Sequence, residues 1–265
     1  IVVLEGRGRR AGPALAPGER AALALGPGWR EAPGTHVAAL DIRMAPGWKT
    51  YWRVPGEAGV PPHFDWSGSD NLASLEVRWP RPKPFLTYGY TTLGYEQAVT
   101  LPLIVRAEDP TRPVSLKLAF SYGLCADICI PAEAELALVL SADGPAGETG
   151  RAGIERALSR VAAPAAAAGV AVEACALQAG DGPLRLEAVF RLPDAPRAAP
   201  LAVVEGPDSL WFQPAEVRLD GRMLRVTAEV DPYSPALQGG WLSRDGLRVT
   251  LLGEDQAVET EACGA

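Results

Sequence analysis

The segment that decides the fold is "VSLKLAFSYGLCADICIPAEAELALVL", residues 114–140. Apolar and polar residues alternate on both sides of its centre, which is the pattern of a β-strand with one buried face. Cys125 and Cys129 lie at that centre. On one straight strand their Cα atoms would be roughly 13 Å apart, whereas a disulfide needs about 4.4 to 6.8 Å. A bond between them therefore requires the chain to reverse, with "ADI" as a three-residue hairpin loop.

The same alternation recurs through the first half of the chain, where Gly and Pro separate short apolar runs. It predicts strands near residues 20–26, 36–44, 49–54, 74–79, 98–105, 114–122 and 134–140. Many short strands without helices between them are typical of an antiparallel sandwich.

The composition changes at "SADGPAGETG" (141–150), which predicts a linker. Ile154, Leu158 and Val161 then follow helical spacing. Thr149 is the expected N-cap of this short helix, and Pro164 is its expected end.

Strand patterns resume after the helix, near residues 170–177, 183–192, 201–206, 215–230, 247–253 and 257–263. Within them, Asp220-Gly221 predicts a tight hairpin turn. We therefore expect an all-β protein with two β-sandwich domains, residues 1–145 and 169–265. A linker with one short helix, residues 146–168, joins them.

Composition limits the function further. The 265 residues are 48% hydrophobic and carry a net charge of −7, which argues against nucleic acid as a partner. The most apolar candidate for a membrane span, residues 161–172, is shorter than the about 20 residues that a span needs. The chain begins at Ile1 without a signal peptide, so a targeting segment either was removed or lies outside this sequence.

The two cysteine pairs differ in what a disulfide would contribute. A Cys125–Cys129 bridge closes about five residues, contributes roughly 2 kcal/mol and sits in a tight loop where reduction is easy. A Cys175–Cys263 bridge closes roughly 90 residues and contributes about 4 to 5 kcal/mol on the same model. The first pair therefore suits redox exchange, and the second suits a structural bond in an oxidising compartment.

Other interpretations of Cys125 and Cys129 remain open on spacing alone. They could be buried small apolar residues, staples of a non-catalytic binding ectodomain, or two ligands of a periplasmic metal site. His36 and His63 lie in no local ligand pattern, so neither a metal nor a cofactor is expected.

The charges near the pair along the chain are acidic, namely those of Asp127, Glu133 and Glu135. Acidic neighbours disfavour a thiolate, and the motif contains no Lys, Arg or His. We therefore expect the pair to be attacked as a disulfide by an incoming thiolate.

Four segments resemble the periplasmic N-terminal domain of the DsbD and ScsB thiol:disulfide interchange proteins: "APGWKTYWRVPGEAGVPPHFDWSGSDNL" (45–72), "VRWPRPKPF" (77–85), "LGYEQAVTLPLIV" (93–105) and "SYGLCADICIPAEAELAL" (121–138). The resemblance covers most of residues 35–140. The three-residue cysteine spacing favours the ScsB branch.

This resemblance implies an immunoglobulin-like, redox-active domain of a larger inner-membrane protein, facing the periplasm. It implies protein-disulfide reductase activity, with Cys125 and Cys129 as the catalytic redox pair. The electron donor would be a thioredoxin-like periplasmic domain of the same parent protein. The acceptor would be a periplasmic disulfide isomerase or a related thioredoxin-fold protein, and the parent protein alone would provide the membrane link.

The resemblance also implies an aromatic cap over the sulfurs, in "PFLTYGY" (84–90). The candidates are Phe85, Tyr88 and Tyr90, and which ring covers the sulfurs is left open. Possible floor residues are Tyr51 and Tyr122. Because Ile130-Pro131 follows it, we expect Cys129 to be the more buried sulfur and Cys125 the site of a mixed disulfide.

Overall fold

The structure is a computed structural model that describes residues 3–5, 14–16, 18–87, 89–143, 150–178, 183–207, 210–238 and 246–261. Its contacts divide the chain into two compact units, Ile1–Val161 and Ala162–Ala265. The division falls inside the stretch that the sequence assigned to a linker, because the short helix belongs to the first unit.

The first unit contains eleven strands among its described residues: β1 (Val3–Glu5), β2 (Ala21–Ala32), β3 (Thr35–Met44), β4 (Lys49–Gly56), β5 (His63–Asp65), β6 (Leu72–Val77), β7 (Lys83–Thr87), β8 (Tyr90–Glu96), β9 (Ala98–Ala107), β10 (Val114–Cys125) and β11 (Cys129–Leu140). One sheet has the order β1-β11-β10-β4-β8-β7, with β5 also paired to β10. The other has the order β2-β3-β9-β6.

The β10–β11 hairpin is confirmed at the predicted place. The two strands pair in register from Val114 and Leu140 to Cys125 and Cys129, so "ADI" alone forms the loop. Alternate residues of β10, including Leu116, are buried, as the period-2 pattern requires.

The core of the first unit is formed by the inward residues of both sheets. Leu40, Leu101 and Leu103 are 1% exposed or less on the smaller sheet, and Leu116 and Trp52 are similarly buried on the larger one. Each completely buried Leu side chain contributes about 1.5 to 3 kcal/mol to the free energy of unfolding. These apolar residues therefore stabilise the packing of one sheet on the other.

Strands β7 and β8 lie outside the predicted set. Their sequence is interrupted by Pro84 and Gly94, which obscure the alternation. In the structure Gly94 is required by close packing, since a Cβ atom there would collide with the carbonyl oxygen of Thr50 on β4. This hairpin forms one edge of the larger sheet.

The helix α1 (Arg151–Leu158) is shorter than predicted and packs on the first unit. Ile154 is buried against Val37 and Ala39 of β3. The helix ends before Pro164, and beyond it the Arg81 backbone N–H donates to the Arg160 carbonyl oxygen. Its N-cap is Gly150, and the predicted cap, Thr149, lies outside the described residues.

The second unit contains β12 (Ala163–Pro164), β13 (Ala171–Gln178), β14 (Arg185–Arg191), β15 (Leu201–Glu205), β16 (Glu216–Asp220), β17 (Met223–Glu229), β18 (Arg248–Leu252) and β19 (Ala257–Glu261). They form two four-stranded sheets, β12-β19-β18-β15 and β13-β14-β17-β16, around a core that includes Phe190 and Leu224. The hairpin predicted at Asp220-Gly221 joins β16 to β17.

The two units are therefore almost entirely β, as predicted. No helix among the described residues is long and apolar enough to cross a membrane.

Candidate redox site

Cys125 and Cys129 form a disulfide across the base of the β10–β11 loop, with their Cα atoms 4.1 Å apart. Cys125 is completely buried and Cys129 is exposed. The expectation that Cys129 would be the more buried sulfur is therefore wrong. Cys125 has β4 as a neighbour on its other side, whereas Cys129 begins β11 at the open side of the hairpin.

The pairing of the strands shows which residues lie next to the disulfide in the sheet. Lys49 of β4 lies directly opposite Cys125, and Glu96 of β8 lies opposite Lys49. Directly paired residues share a face of the sheet, as do residues two apart on one strand. Tyr51 and, through the β8–β7 pairing, Phe85 are therefore on the same face. We call the face that carries Cys125, Lys49, Tyr51, Glu96 and Phe85 the redox face.

Tyr51 contacts both sulfurs. Its hydroxyl oxygen lies 2.8 Å from Cys125 Sγ and 3.1 Å from Cys129 Sγ. Disulfide sulfurs carry no hydrogen, so the tyrosine O–H donates. Burial raises the pKa of the Tyr51 hydroxyl, which keeps the proton in place at neutral pH. Tyr51 therefore contacts the disulfide directly, and its role as a floor residue stays a prediction.

Two glycines make room for the Tyr51 ring. A Cβ atom at Gly123 would lie 3.0 Å from ring carbons Cδ2 and Cε2, and one at Gly59 would lie 2.9 Å from Cδ1. A Cβ contact of 3.0 Å is tighter than nine in ten real ones, so a side chain at Gly123 would force the Tyr51 ring to shift. The backbone at these two positions thus determines where the hydroxyl points.

The predicted cap residues differ in their surroundings. Phe85 is half-buried on the redox face, and the Lys49 ammonium lies 5.0 Å from its ring centroid. Tyr90, on the paired strand of the same hairpin, is 52% exposed. Tyr88 lies outside the described residues. Of the two described candidates, Phe85 is therefore the one with a contact to a neighbour of the disulfide.

Tyr122 is not beneath the sulfurs. It is three residues before Cys125 on β10, so it points to the opposite face of the sheet. There it stacks on Phe120 at 4.8 Å, and burial raises its pKa to about 12. Its surroundings are those of a core residue.

Sequence reasoning missed Lys49. The local charges, those of Asp127, Glu133 and Glu135, are exposed and acidic, but the sheet adds a lysine directly across from Cys125. The segment "KTY" (49–51) indicates that Lys49 and Tyr51 share a face of the sheet, because residues two positions apart on one strand point the same way.

The other pair, Cys175 and Cys263, was predicted to form a structural disulfide. Cys175 is disulfide-bonded and packs against the core of the second unit. Cys263 lies outside the described residues. Within the described ranges, no group of three or more His, Cys, Asp or Glu side chains is arranged to hold a metal ion.

Residues 16–141, which include the whole disulfide hairpin, match the family model "Thiol:disulfide interchange protein DsbD, N-terminal". The matched segment spans most of the first unit. The match supports a thiol:disulfide relay domain and thiol:disulfide interchange in general. No curated protein matches the chain.

The solved structures extend the comparison to both units. The chain is similar to the N-terminal periplasmic domain of ScsB from Proteus mirabilis, with a TM-score of 0.67 and 21% identity over 93% of this chain and 94% of that one. At this identity the similarity establishes the fold. The reduced DsbD N-terminal domain of Neisseria meningitidis aligns with 43% of this chain and 84% of its own, at 19% identity and a TM-score of 0.26, too low to support an argument.

Proposed function

We propose that this protein is a periplasmic electron-relay segment that passes reducing equivalents through Cys125 and Cys129. The donor is a thioredoxin-like periplasmic domain of the same parent membrane protein. The acceptor is a periplasmic thioredoxin-fold protein such as a disulfide isomerase, which makes the activity that of a protein-disulfide reductase. The observation that carries the proposal is a disulfide with one exposed and one buried sulfur, within a segment that matches the DsbD N-terminal family model.

Cys129 is the sulfur that a donor attacks. Disulfide exchange needs access to the attacked sulfur, and only Cys129 of this pair is exposed. A donor thiolate forms a bond to Cys129 Sγ, the Cys125–Cys129 bond breaks, and Cys125 leaves as a thiolate. The donor's second thiolate then attacks the donor sulfur and releases Cys129. Two electrons have moved to the pair, which takes up two protons from water.

The acceptor step is the reverse reaction with another partner. The Cys129 thiolate attacks the acceptor disulfide, and Cys125, as a thiolate, resolves the mixed disulfide. The original bridge forms again and the acceptor leaves as a dithiol. Cys125 can do this while buried because its target is the neighbouring sulfur.

A redox titration of the 265-residue chain tests the proposal. We expect the Cys125–Cys129 potential to lie between about −270 and −120 mV, the interval from thioredoxin to strongly oxidising periplasmic proteins. A value below about −300 mV is typical of structural disulfides and would support the non-catalytic ectodomain instead.

Trapping tests the assignment of Cys129. The probe is a thioredoxin-fold protein with one active-site cysteine, activated as its thionitrobenzoate disulfide. Cys125→Ala should form a mixed disulfide with it and release one thionitrobenzoate, whereas Cys129→Ala should react far more slowly. The opposite preference would assign the exchange to Cys125.

A further inference from the structure

The redox face places a positive charge beside the buried sulfur. Lys49 lies directly opposite Cys125, and their side chains share a face. Cβ atoms of such pairs are about 4.5 to 5.5 Å apart. In the row across the sheet the order is Cys129, Cys125, Lys49 and Glu96.

The lysine is held close to the site. Its side chain is half-buried, and its ammonium lies 5.0 Å from the centroid of the Phe85 ring. A cation over an aromatic face is attracted by the negative face of the ring. Phe85 therefore holds the ammonium on the redox face, the face that also carries Cys125.

Other charged and titratable groups lie near Cys125 and Lys49. Glu96 lies beyond Lys49, and its carboxylate is 3.8 Å from the Lys83 ammonium. The loop adds the acidic Asp127, β11 adds the acidic Glu133 and Glu135, and the hydroxyl of Tyr51 donates to the sulfurs. Lys49 is the cation whose strand position is paired with Cys125.

We propose that Lys49 stabilises the Cys125 thiolate that leaves when a donor attacks Cys129. This inference rests on the proposed function, in which Cys125 is the leaving group. A lower leaving-group pKa speeds disulfide exchange, and a nearby cation favours the charged form of a thiol. Because Cys125 is fully buried, water screens this attraction weakly. Lys49 also favours the thiolate in the reverse step, in which Cys125 resolves the mixed disulfide.

Three variants of the full chain separate charge from packing. Lys49→Met keeps most of the side-chain volume and removes the charge, and Lys49→Arg keeps a cation that also binds aromatic rings. Lys117→Met is the matched control, because Lys117 is an exposed lysine near the other end of β10. Lys49→Gln replaces Lys49→Met if circular dichroism indicates misfolding.

The first measurement is the rate at which dithiothreitol reduces the oxidised chain at fixed pH. We expect Lys49→Met to slow reduction about three- to tenfold, with Lys49→Arg and Lys117→Met close to wild type. The second is thiolate absorbance near 240 nm against pH in a Cys129→Ala background, which isolates Cys125. The midpoint should move to higher pH in Lys49→Met and stay in place in Lys49→Arg.

The outcomes distinguish this inference from the proposed function. If the wild-type chain exchanges at a relay potential but Lys49→Met matches it in rate and midpoint, the role of Lys49 is refuted and the relay stands. Slowing by Lys49→Arg as large as that by Lys49→Met would also refute it, because charge would then be irrelevant. A wild-type disulfide that resists dithiothreitol would refute the relay itself.

Discussion

At the scale of single residues, one tyrosine hydroxyl connects the hairpin disulfide to the rest of the sheet. Tyr51 is 4% exposed, and its hydroxyl oxygen lies within hydrogen-bonding distance of both sulfurs. A hydrogen bond to a charged group is worth about 1.5 to 3 kcal/mol, more than one to a neutral group. The same O–H therefore binds a thiolate more strongly than a disulfide, and it favours reduction.

A double-mutant cycle tests this contact. Tyr51→Phe should slow reduction by dithiothreitol about tenfold, because the leaving thiolate loses its donor. Gly123→Ala should have a similar effect, because its Cβ displaces the Tyr51 ring. In the Tyr51→Phe background, Gly123→Ala should then add little.

The control for this cycle is Gly68→Ala, whose Cβ would make only ordinary 3.5 Å contacts with Lys117. It should leave the rate unchanged. Fully additive effects of Tyr51→Phe and Gly123→Ala would mean that the glycine does not act through the tyrosine.

At the scale of elements, the β7–β8 hairpin is the part of the larger sheet that matches the predicted cap. Its backbone is fixed to β4 through the close approach of Gly94 to Thr50. Phe85 is half-buried on the redox face, while Leu86, the next residue, is 79% exposed. The alternation of the strand therefore turns one aromatic ring toward the site and its neighbour toward water.

Alkylation measures whether this hairpin shields the buried sulfur. In a reduced Cys129→Ala background, Phe85→Ala should raise the rate at which iodoacetamide modifies Cys125 by roughly threefold or more, because an aromatic side chain leaves the redox face. Leu86→Ala is the control, since Leu86 is 79% exposed and, as the next residue after Phe85, lies on the other face of the sheet. Equal rates in all three proteins would mean that Phe85 does not shield Cys125.

At the scale of the whole molecule, the two units have separate cores. We assign a redox-active disulfide to the first unit and a structural disulfide to the second. In the first unit, the disulfide joins two cysteines that are four residues apart in sequence, on either side of the β10–β11 loop. In the second, Cys175 is disulfide-bonded beside the core, as a structural bond would be. A cross-link over a long loop removes more entropy from the unfolded chain than one over a short loop.

Replacing Cys175 and Cys263 together with Ala should therefore lower the melting temperature by roughly 10 °C or more, measured by calorimetry. The rate of dithiothreitol reduction at Cys125–Cys129 should not change. A loss of exchange without a loss of stability would contradict the structural assignment of this pair.

The sequence by itself determined the strands whose alternation is uninterrupted, including β10 and β11, and the hairpin between them. It also predicted that a bond between Cys125 and Cys129 would need a hairpin, because on one straight strand the two lie too far apart. These features depend on local period and loop length, and the family's motifs lie in the same segments.

Only the tertiary structure decided which sulfur is exposed and where α1 packs. It also decided that Lys49, far from the cysteines in sequence, lies opposite Cys125. The physical reason is that burial and charge at a residue depend on the strand beside it. The pairing of β4 with β10 is set by contacts between distant segments, which the alternation within either strand does not specify.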